Sequence, residues 1–325
     1  MLGRHPDLAD FRMNLGMLDL VEGNWPQGWQ RYEARLEIAE HRTRHPQAAL
    51  APPWDGSPLA ADRTLLLWGE QGLGDSLQFV RLLERLPVQG TTVLLHVPEA
   101  LHAVLADLPS RVPHADLQLV RAGTPLPRID CQLSLLSLPQ RLGLTEATLP
   151  PFRPWLSLDP QRQQAWQERL GARQRPRVGL VWSGNPRHTN DRNRSLPLAE
   201  LLAALPPQLD YHLVQKDLRD EDRALLAQRP ELRWHGEALH DFADTAALLA
   251  NLDHLVTVDT SVAHLAGGLG LPFSLLLASR PDFRWMLGRS DSPWYPTARL
   301  YRQCVPRDWA PVLAEAFAEL VNRLG

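Results

Sequence analysis

Three groups of residues in this chain have types and spacing that could carry out chemistry. The first is Gly72-Leu73-Gly74-Asp75, which follows an apolar run at 64–68. Glycines let a backbone approach a ligand closely, and the N-terminus of a helix after them attracts anions. Asp75 could serve there as a general base, or it could only cap the helix that follows. The dinucleotide fingerprint G-x-G-x-x-G is incomplete, because Leu77 stands where its third glycine belongs.

The second group follows an apolar run that ends at Val258, and it begins with Asp259, Thr260 and Ser261. Backbone N–H groups and two hydroxyls at the start of a helix would suit a diphosphate. Asp259 could bind a ribose or hold the loop, and His264 lies one turn into the predicted helix. The alternative is an ordinary capped helix whose histidine faces the core.

The third group is a polar loop at 183–195, which follows another apolar run and carries three arginines against one aspartate. A cationic loop at the carboxyl end of a strand can close on phosphates, which arginine binds through two parallel hydrogen bonds. Lys216, at the end of a further predicted strand, could add a point charge. The alternatives are a solvated loop and a surface lysine.

Two further groupings of acidic or histidine residues are weaker candidates for a metal site. Asp220-Glu221-Asp222 imitates a metal-binding D-x-D pattern, but it lies in the charged start of a predicted helix. His235 and His240 have no third ligand beside them in the sequence. We therefore expect neither a metal ion nor another cofactor.

Composition narrows the class of protein further. The 325 residues suggest about two domains, and 44% hydrophobic against 22% charged residues are typical of a chain with a packed core. A net charge of −3 argues against a dedicated nucleic-acid-binding protein. Lys216 is the one lysine of the chain and follows no glycine run, which excludes a P-loop.

The cysteines and the apolar runs bear on the compartment. Cys131 and Cys304 cannot form a disulfide framework or a C-x-x-C site. The N-terminal residues lack the apolar stretch of a signal peptide, and no apolar run approaches the ~18 residues of a membrane span. We therefore expect a soluble, cytoplasmic protein.

Residues 1–45 are predicted to form a helical hairpin. Apolar residues recur at helical spacing up to Val21, and a second helix is predicted from about 26 to about 42. The spacing of Leu15-Gly16, Gly23, Gly28 and Tyr32 matches one tetratricopeptide repeat. One such unit cannot bury its own apolar face, so we expect it to pack on the following domain or on a protein partner.

Two α/β patterns follow a Pro- and Ala-rich stretch at 46–62, which is predicted to be a linker. Apolar strands alternate with helices in both patterns, which indicates parallel sheets covered on both faces. The predicted helices include one from Ser76 to about Leu86 and others at 98–108 and 242–249, and the predicted strands include 254–258 and 273–277. A proline-rich joint near 150–176 separates two Rossmann-like halves, with a ligand cleft expected between them. The predicted domains are 1–45 (helical hairpin), 46–158 (N-terminal Rossmann-like) and 159–325 (C-terminal Rossmann-like, with a closing helix).

Together these segments resemble glycosyltransferase family 9, the ADP-heptose:lipopolysaccharide heptosyltransferase-like proteins. They are more similar still to bacterial tetratricopeptide-repeat proteins that carry such a domain. The matching pieces are Glu70-Gln71-Gly72-Leu73-Gly74-Asp75, Trp182–Pro186 with Arg194–Pro197, and Asp259–Ala266, together with 244–248 and 291–297. The resemblance covers roughly 60–325.

The resemblance implies the GT-B fold, an α/β architecture of two Rossmann-like domains with parallel sheets facing a cleft. It implies an inverting, metal-independent transfer of a sugar from a nucleoside diphosphate to a hydroxyl of a glycan, lipid-linked or protein acceptor. The acceptor would bind the N-terminal domain and the donor nucleotide the C-terminal one. Asp75 corresponds to the proposed base of that family, and the loop at the cleft comprises Glu70, Gln71, Gly72 and Gly74.

The resemblance also implies a donor site, formed by Ser183, Gly184, Asn185, Arg194, Lys216, Asp259, Thr260, Ser261 and His264. Heptosyltransferases usually carry glycine where Ser261 stands and lysine where Arg194 stands, so the sugar stays open. Related O-linked N-acetylglucosamine transferases place the lysine of a Gln-x-x-Lys motif near the donor phosphates, and Gln215-Lys216 is a shortened version of it.

A nucleotide-sugar glycosyltransferase is therefore the leading interpretation. The alternative is a non-catalytic module that binds a sugar nucleotide or, through its helical hairpin, a protein partner. A Rossmann dehydrogenase is a third and weaker interpretation, because neither first strand is followed by a complete dinucleotide fingerprint.

Overall fold

The computed structural model describes residues 8–121 and 123–325, so the first seven residues of the predicted hairpin lie outside it. The chain forms two compact units. The first unit contains the described part of Met1–Trp155 together with Asp282–Gly288, and the second contains Leu156–Pro281 with Arg289–Gly325. The predicted division at 45 and 158 stays a prediction.

The first unit begins with a helical hairpin of α1 (Ala9–Val21) and α2 (Trp25–Tyr32). The two helices approach closely at a pair of glycines. A Cβ atom on Gly16 would lie 2.6 Å from the backbone nitrogen of Tyr32, and one on Gly28 would lie 2.7 Å from Leu20 Cγ. The glycine spacing noted in the sequence therefore marks a real helix–helix contact, while kinship with a tetratricopeptide repeat stays a prediction.

The predicted second helix is too long. After α2 the backbone tightens into a 3-10 helix at Glu33–Glu37 and then turns extended at Ile38, where φ is −68° and ψ is 125°. A separate short helix, α3 (Ala39–Arg44), follows. Trp29 of α2 packs edge-on against Phe79, with ring centroids 6.1 Å apart. The hairpin thus packs on its own unit, one of the two outcomes expected.

The stretch at 46–62 is attached to the first unit and is not a free linker. It begins with a 3-10 turn at Pro46–Ala49, and Trp54 is almost completely buried. The Trp54 backbone N–H donates to the Gln132 carbonyl at 2.8 Å, and its indole N–H donates to the Ser57 carbonyl at 2.9 Å. A large buried aromatic side chain therefore outweighs the proline-rich composition that suggested a linker.

The first unit contains a four-stranded parallel sheet of β1 (Thr64–Trp68), β2 (Thr91–His96), β3 (Ala115–Val120) and β4 (Cys131–Ser134), in the order β3-β2-β1-β4. Its α-helices are short: α4 (Leu73–Phe79), α5 (Leu108–Arg111) and α6 (Leu138–Arg141). The helix predicted at 98–108 is wrong, because single 3-10 turns replace it. The 3-10 segments after α4 are Val80–Arg85, Glu99–Leu101, Ala103–Leu105, Leu135–Ser137 and Glu146–Thr148.

The second unit contains a six-stranded parallel sheet with the order β10-β9-β8-β5-β6-β7. Its strands are β5 (Arg177–Val181), β6 (Asp210–Leu213), β7 (Arg233–Trp234), β8 (His254–Val258), β9 (Phe273–Leu277) and β10 (Ala298–Arg302). Its α-helices are α7 (Pro160–Leu170), α8 (Asp191–Arg194), α9 (Leu198–Ala203), α10 (Asp220–Leu226), α11 (Phe242–Leu249), α12 (Ser261–Leu269) and α13 (Ala310–Leu324). The short strands β7 and β10 were not predicted.

The central strands of the second sheet have the continuous burial that is typical of parallel sheets. All five residues of β5, β8 and β9 are buried. The closing helix α13 contributes Leu313, Phe317 and Leu320 to the core of the second sheet. The predicted α/β class with parallel sheets is therefore confirmed. Within residues 8–121 and 123–325, no helix is both long and apolar enough to cross a membrane.

The close contact of α1 with α2 makes a prediction about stability. Replacing glycine by alanine inside a helix normally stabilises it by roughly 0.5–1 kcal/mol. Gly16→Ala should instead lower the free energy of unfolding by about 1–3 kcal/mol, because the new methyl group would press on the α2 backbone. Urea denaturation measures the change, and Asn14→Ala on the exposed side of α1 is the control. A variant as stable as the parent would contradict this contact.

Candidate functional site

Asp75 lies in the first turn of α4, at the carboxyl end of β1. The helix begins at Leu73, three residues earlier than predicted, which makes Asp75 its third residue. The Gly72 backbone N–H donates to Asp75 Oδ2 at 2.6 Å. The capping role considered from the sequence is thus present. This hydrogen bond uses only one of the two carboxylate oxygens of Asp75.

The other oxygen, Asp75 Oδ1, is bound by the guanidinium of Arg284. Arg284 comes from a 3-10 turn, Phe283–Trp285, inside the segment Asp282–Gly288 of the same unit. Its Nη1 also donates to Asp282 Oδ1 at 2.7 Å, and its guanidinium carbon lies 4.3 Å from the centre of the Phe283 ring. Arg284 was not predicted as a partner of Asp75, because 209 positions separate the two residues in sequence.

Burial raises the pKa of Asp75, while the Arg284 charge and the Gly72 N–H lower it. Burial has the larger effect, so the pKa lies above the usual value of an aspartate. A carboxylate with a raised pKa is a stronger proton acceptor once it is ionised. The arrangement can therefore hold a base in a fixed position.

The loop residues before Asp75 have different environments. Glu70 is not an open loop residue, because its side chain is 0% exposed and bonds to Arg35, with Arg35 Nη2 2.6 Å from Glu70 Oε1. Gln71 is exposed, adopts a left-handed φ of 61°, and donates from Nε2 to the Tyr32 hydroxyl at 2.7 Å. Gly74 is the second residue of α4. The buried partner Arg35 was not predicted.

A pocket of about 300 Å³ lies beside this loop, at the carboxyl ends of β1 and β2. Polar side chains at its wall include His45, Gln71, Ser76, His96 and Glu99. None of the described residues that line it is a lysine or an arginine. The pocket can therefore offer hydrogen bonds to hydroxyl groups, and its lining has no cation for a phosphate.

In the second unit, Arg194 reaches the loop after β8. Its Nη1 donates to the Asp259 carbonyl at 3.1 Å, and its Nε lies 3.8 Å from Asp191 Oδ1. Gly184 makes room for it, since a Cβ there would lie 2.5 Å from Arg194 Nη2. The structure brings together one residue from each of the two predicted phosphate-binding segments. Arg194 is largely buried, so the solvated-loop alternative does not describe it.

Thr260 lies immediately before α12 and leaves the start of that helix uncapped by a side chain. Its Oγ1 is buried and has no hydrogen-bond partner among residues 8–121 and 123–325. Ser261 is the first residue of the nine-residue helix, and both residues are half-buried. A buried hydroxyl and the N-terminus of a helix are features that can bind an anion.

His264 is placed in the core of the second unit. It is 5% exposed, and its Nδ1 forms a hydrogen bond with the Tyr295 hydroxyl at 2.7 Å. This contact corresponds to the core-facing alternative considered from the sequence. A role for His264 in donor binding stays a prediction.

The remaining predicted donor residues lie at the ends of β5 and β6. Gln215 Oε1 accepts a hydrogen bond from the Ser183 backbone N–H at 3.1 Å, which fixes the start of the polar loop. The Asn185 side chain accepts from the Arg187 N–H at 2.9 Å. The exposed Lys216 donates from Nζ to the Leu239 carbonyl. Lys216 is thus occupied by a backbone contact, and its contribution to a phosphate site stays a prediction.

Known proteins resemble this chain weakly in sequence and more clearly in fold. No family model matches the chain. It is 26% identical over 344 residues to the FlbA protein of Caulobacter vibrioides, an alignment that covers 98% of this chain. The chain spans 56% of the length of that relative.

Three solved structures share the architecture. The ADP-heptose lipopolysaccharide heptosyltransferase II of Escherichia coli is 16% identical, with a TM-score of 0.54, over 81% of this chain and 100% of that one. The chain has the fold of the family 9 glycosyltransferases. A Veillonella parvula glycosyltransferase family 9 protein aligns with a TM-score of 0.51 at 10% identity, over 81% and 90% of the two chains.

The third structure is the dodecameric iron-containing heptosyltransferase TibC of enterotoxigenic E. coli, in complex with ADP-D-β-D-heptose. It is 12% identical with a TM-score of 0.54, and the alignment covers 81% of this chain and 78% of that one. The resemblance noted in the sequence is therefore confirmed at the level of the fold.

Proposed function

We propose that this protein is a nucleotide-sugar glycosyltransferase with the two-domain GT-B organisation. The observation that carries the proposal is the contact of Arg194 with the Asp259 carbonyl, next in sequence to Thr260, whose hydroxyl is buried and unpartnered at the start of α12 among the described residues. It lies within a fold shared with heptosyltransferases that use an ADP-sugar. The second unit would bind the donor nucleotide and the first unit the acceptor.

The donor diphosphate would lie against Arg194, Thr260 and the N–H groups at the start of α12. Negative charge develops on the leaving diphosphate during transfer, and cations and fixed dipoles aimed at it lower the barrier. We propose that these groups serve in place of a metal ion at the diphosphate. Ser183, Gly184 and Asn185 would shape the loop around it, and Lys216 would have to leave the Leu239 carbonyl to contribute its charge.

Asp75 would act as the general base. It would take the proton of the acceptor hydroxyl while the acceptor oxygen forms a bond to the anomeric carbon. The bond from that carbon to the diphosphate breaks, and the nucleoside diphosphate leaves with the electron pair. A single displacement of this kind inverts the anomeric centre. The acceptor would bind in the pocket beside Gln71 and His96, where the Gln71 amide and the His96 imidazole can form hydrogen bonds with the hydroxyl groups of a polyhydroxylated molecule.

Removing the base tests the reaction. Asp75→Asn keeps the size of the side chain and should lower transfer by about 10²–10⁴-fold, because general-base catalysis contributes that much. Donor binding should stay near normal, since Asp75 lies in the first unit. A panel of ADP-, UDP-, GDP- and dTDP-sugars identifies the donor by thermal shift, and product formation is then followed with that donor. Binding without turnover by the parent protein would favour the non-catalytic module.

The donor site has a test of its own. Arg194→Ala should weaken binding of the nucleoside diphosphate by roughly 10–100-fold, the value of a hydrogen bond to a charged group. Arg192→Ala removes an exposed arginine two residues away and should leave the affinity unchanged. Isothermal titration calorimetry measures both variants. Equal affinities of the two variants would disprove the role of Arg194.

Arg284 should position Asp75 and set its protonation. Asp75 works only when ionised, so activity should fall as the pH falls through its pKa. Arg284 lowers that pKa, so Arg284→Gln should raise it and move the acid limb of the pH–rate profile to higher pH. Arg284→Lys keeps the positive charge, so it should move the acid limb less than Arg284→Gln does. Arg280→Gln, at an exposed site, is the control, and an acid limb unmoved by Arg284→Gln would contradict the assignment.

A further inference from the structure

Two histidines and a carboxylate meet at the junction of the helical hairpin and the first sheet. His41 lies in α3, His45 directly follows that helix, and Glu70 follows β1. One ligand atom from each lies within 4.8 Å of the others. Histidines four positions apart on a helix face the same side, so this backbone presents both imidazoles together. Glu70 then approaches them from a distant part of the chain.

Glu70 is held in place by Arg35 and Ser134. Arg35 Nη2 lies 2.6 Å from Glu70 Oε1, and the Ser134 hydroxyl donates to the same oxygen. The second oxygen, Oε2, accepts a longer hydrogen bond from Arg35 Nε at 3.2 Å and is also in hydrogen-bond contact with His41 Nε2. Carboxylates fixed in this way by a second layer of hydrogen bonds are typical of metal-binding sites.

The histidine rings are packed together and remain accessible. Their centroids are 4.6 Å apart, and the His45 ring lies 5.2 Å from Trp68. Both histidines are half-buried, and His45 and Glu70 form part of the wall of the pocket beside β1. An ion at this position would therefore have protein ligands on one side and room for water or a small ligand on the other.

The local charge is compatible with a cation. Arg35 is positive, but it is paired with both Glu70 and Glu33, whose Oε1 lies 2.7 Å from Arg35 Nη1. Arg141 Nη2 lies 3.8 Å from the other Glu33 oxygen, so two carboxylates balance two guanidinium groups, and Glu99 adds a further acidic group to the lining of the pocket.

We propose that His41, His45 and Glu70 bind a divalent transition-metal ion such as Zn²⁺, with the fourth position open to the pocket. Two imidazoles and a carboxylate form a ligand set that such ions favour, at bond lengths of about 2.0–2.2 Å. Ligand atoms around a tetrahedral ion lie roughly 3.3 Å apart, and the three ligand atoms here lie within 4.8 Å of one another, so small side-chain movements would complete the site. The contact between His41 and Glu70 then gives way to two metal bonds.

This ion would have a different task from the groups proposed for sugar transfer. It would join the end of the helical hairpin to the loop after β1, at the wall of the pocket rather than at the diphosphate. The site was not predicted from the sequence, because the two histidines and Glu70 are separated by the whole of β1 and the stretch before it.

Metal titration of the full chain, freed of any histidine tag, tests the proposal. Zn²⁺ is added in competition with a chromogenic chelator, and Co²⁺ is added separately because its visible absorption reports nitrogen and oxygen ligands. We expect one ion per chain. His45→Ala should weaken Zn²⁺ binding at least about 100-fold, since even second-layer changes cost 10–100-fold. His240→Ala, an exposed histidine in the second unit, should leave the affinity unchanged.

A second variant guards against misfolding. Glu70→Gln disturbs a buried ion pair, so its circular dichroism is compared with that of His45→Ala, which leaves the Arg35–Glu70 contact in place. Loss of the Co²⁺ absorption in a folded His45→Ala variant supports the site. Binding that survives His45→Ala, equal weakening by His240→Ala, or no saturable binding by the parent would overturn it.

Discussion

The ion pair between Arg35 and Glu70 is the constraint on which the first unit depends. Both side chains are almost entirely buried, and burial alone would favour their uncharged forms. The Arg35 charge, with the hydrogen bonds from His41 and Ser134, outweighs burial and lowers the pKa of Glu70. The pKa of Arg35 is raised by the carboxylates around it in spite of its burial. Removing one partner of such a pair costs about 3–5 kcal/mol, because the other charge is left without compensation.

That pair fixes the hairpin and the loop after β1 to each other. Arg35 lies in the 3-10 helix that follows α2, and Glu70 lies five residues before Asp75. Gln71 adds a neutral contact to Tyr32 of α2. The hairpin is therefore part of the scaffold that positions the loop. At the other end of the loop, Asp75 and Arg284 form a second buried ion pair, in which an arginine again compensates the charge of a buried carboxylate.

The sequence predicts the second unit better than the first, for physical reasons. The strands 254–258 and 273–277 and the helix 242–249 are predicted with the bounds that they have, because long apolar runs and a clear helical period mark them. In the first unit, 3-10 turns replace much of the helix predicted at 98–108 and parts of two other predicted helices, and hydrophobic spacing alone does not distinguish a 3-10 turn from an α-helix. The positions of Asp75, Arg194 and Thr260 were predicted from local motifs. Their partners were not, since Arg35 and Arg284 are two of many arginines and meet the loop only in the folded chain.

The path of the chain through the two units has a consequence for how this protein can be divided. The segment Asp282–Gly288 lies between β9 and β10 in sequence, yet it belongs to the first unit and supplies Arg284. A fragment ending at Trp155 would contain the whole first sheet and still lack the cation that neutralises Asp75. Its central carboxylate would be buried without compensation. The two halves are therefore not exchangeable modules, and recombination between related chains has to carry this short internal segment along with the N-terminal half.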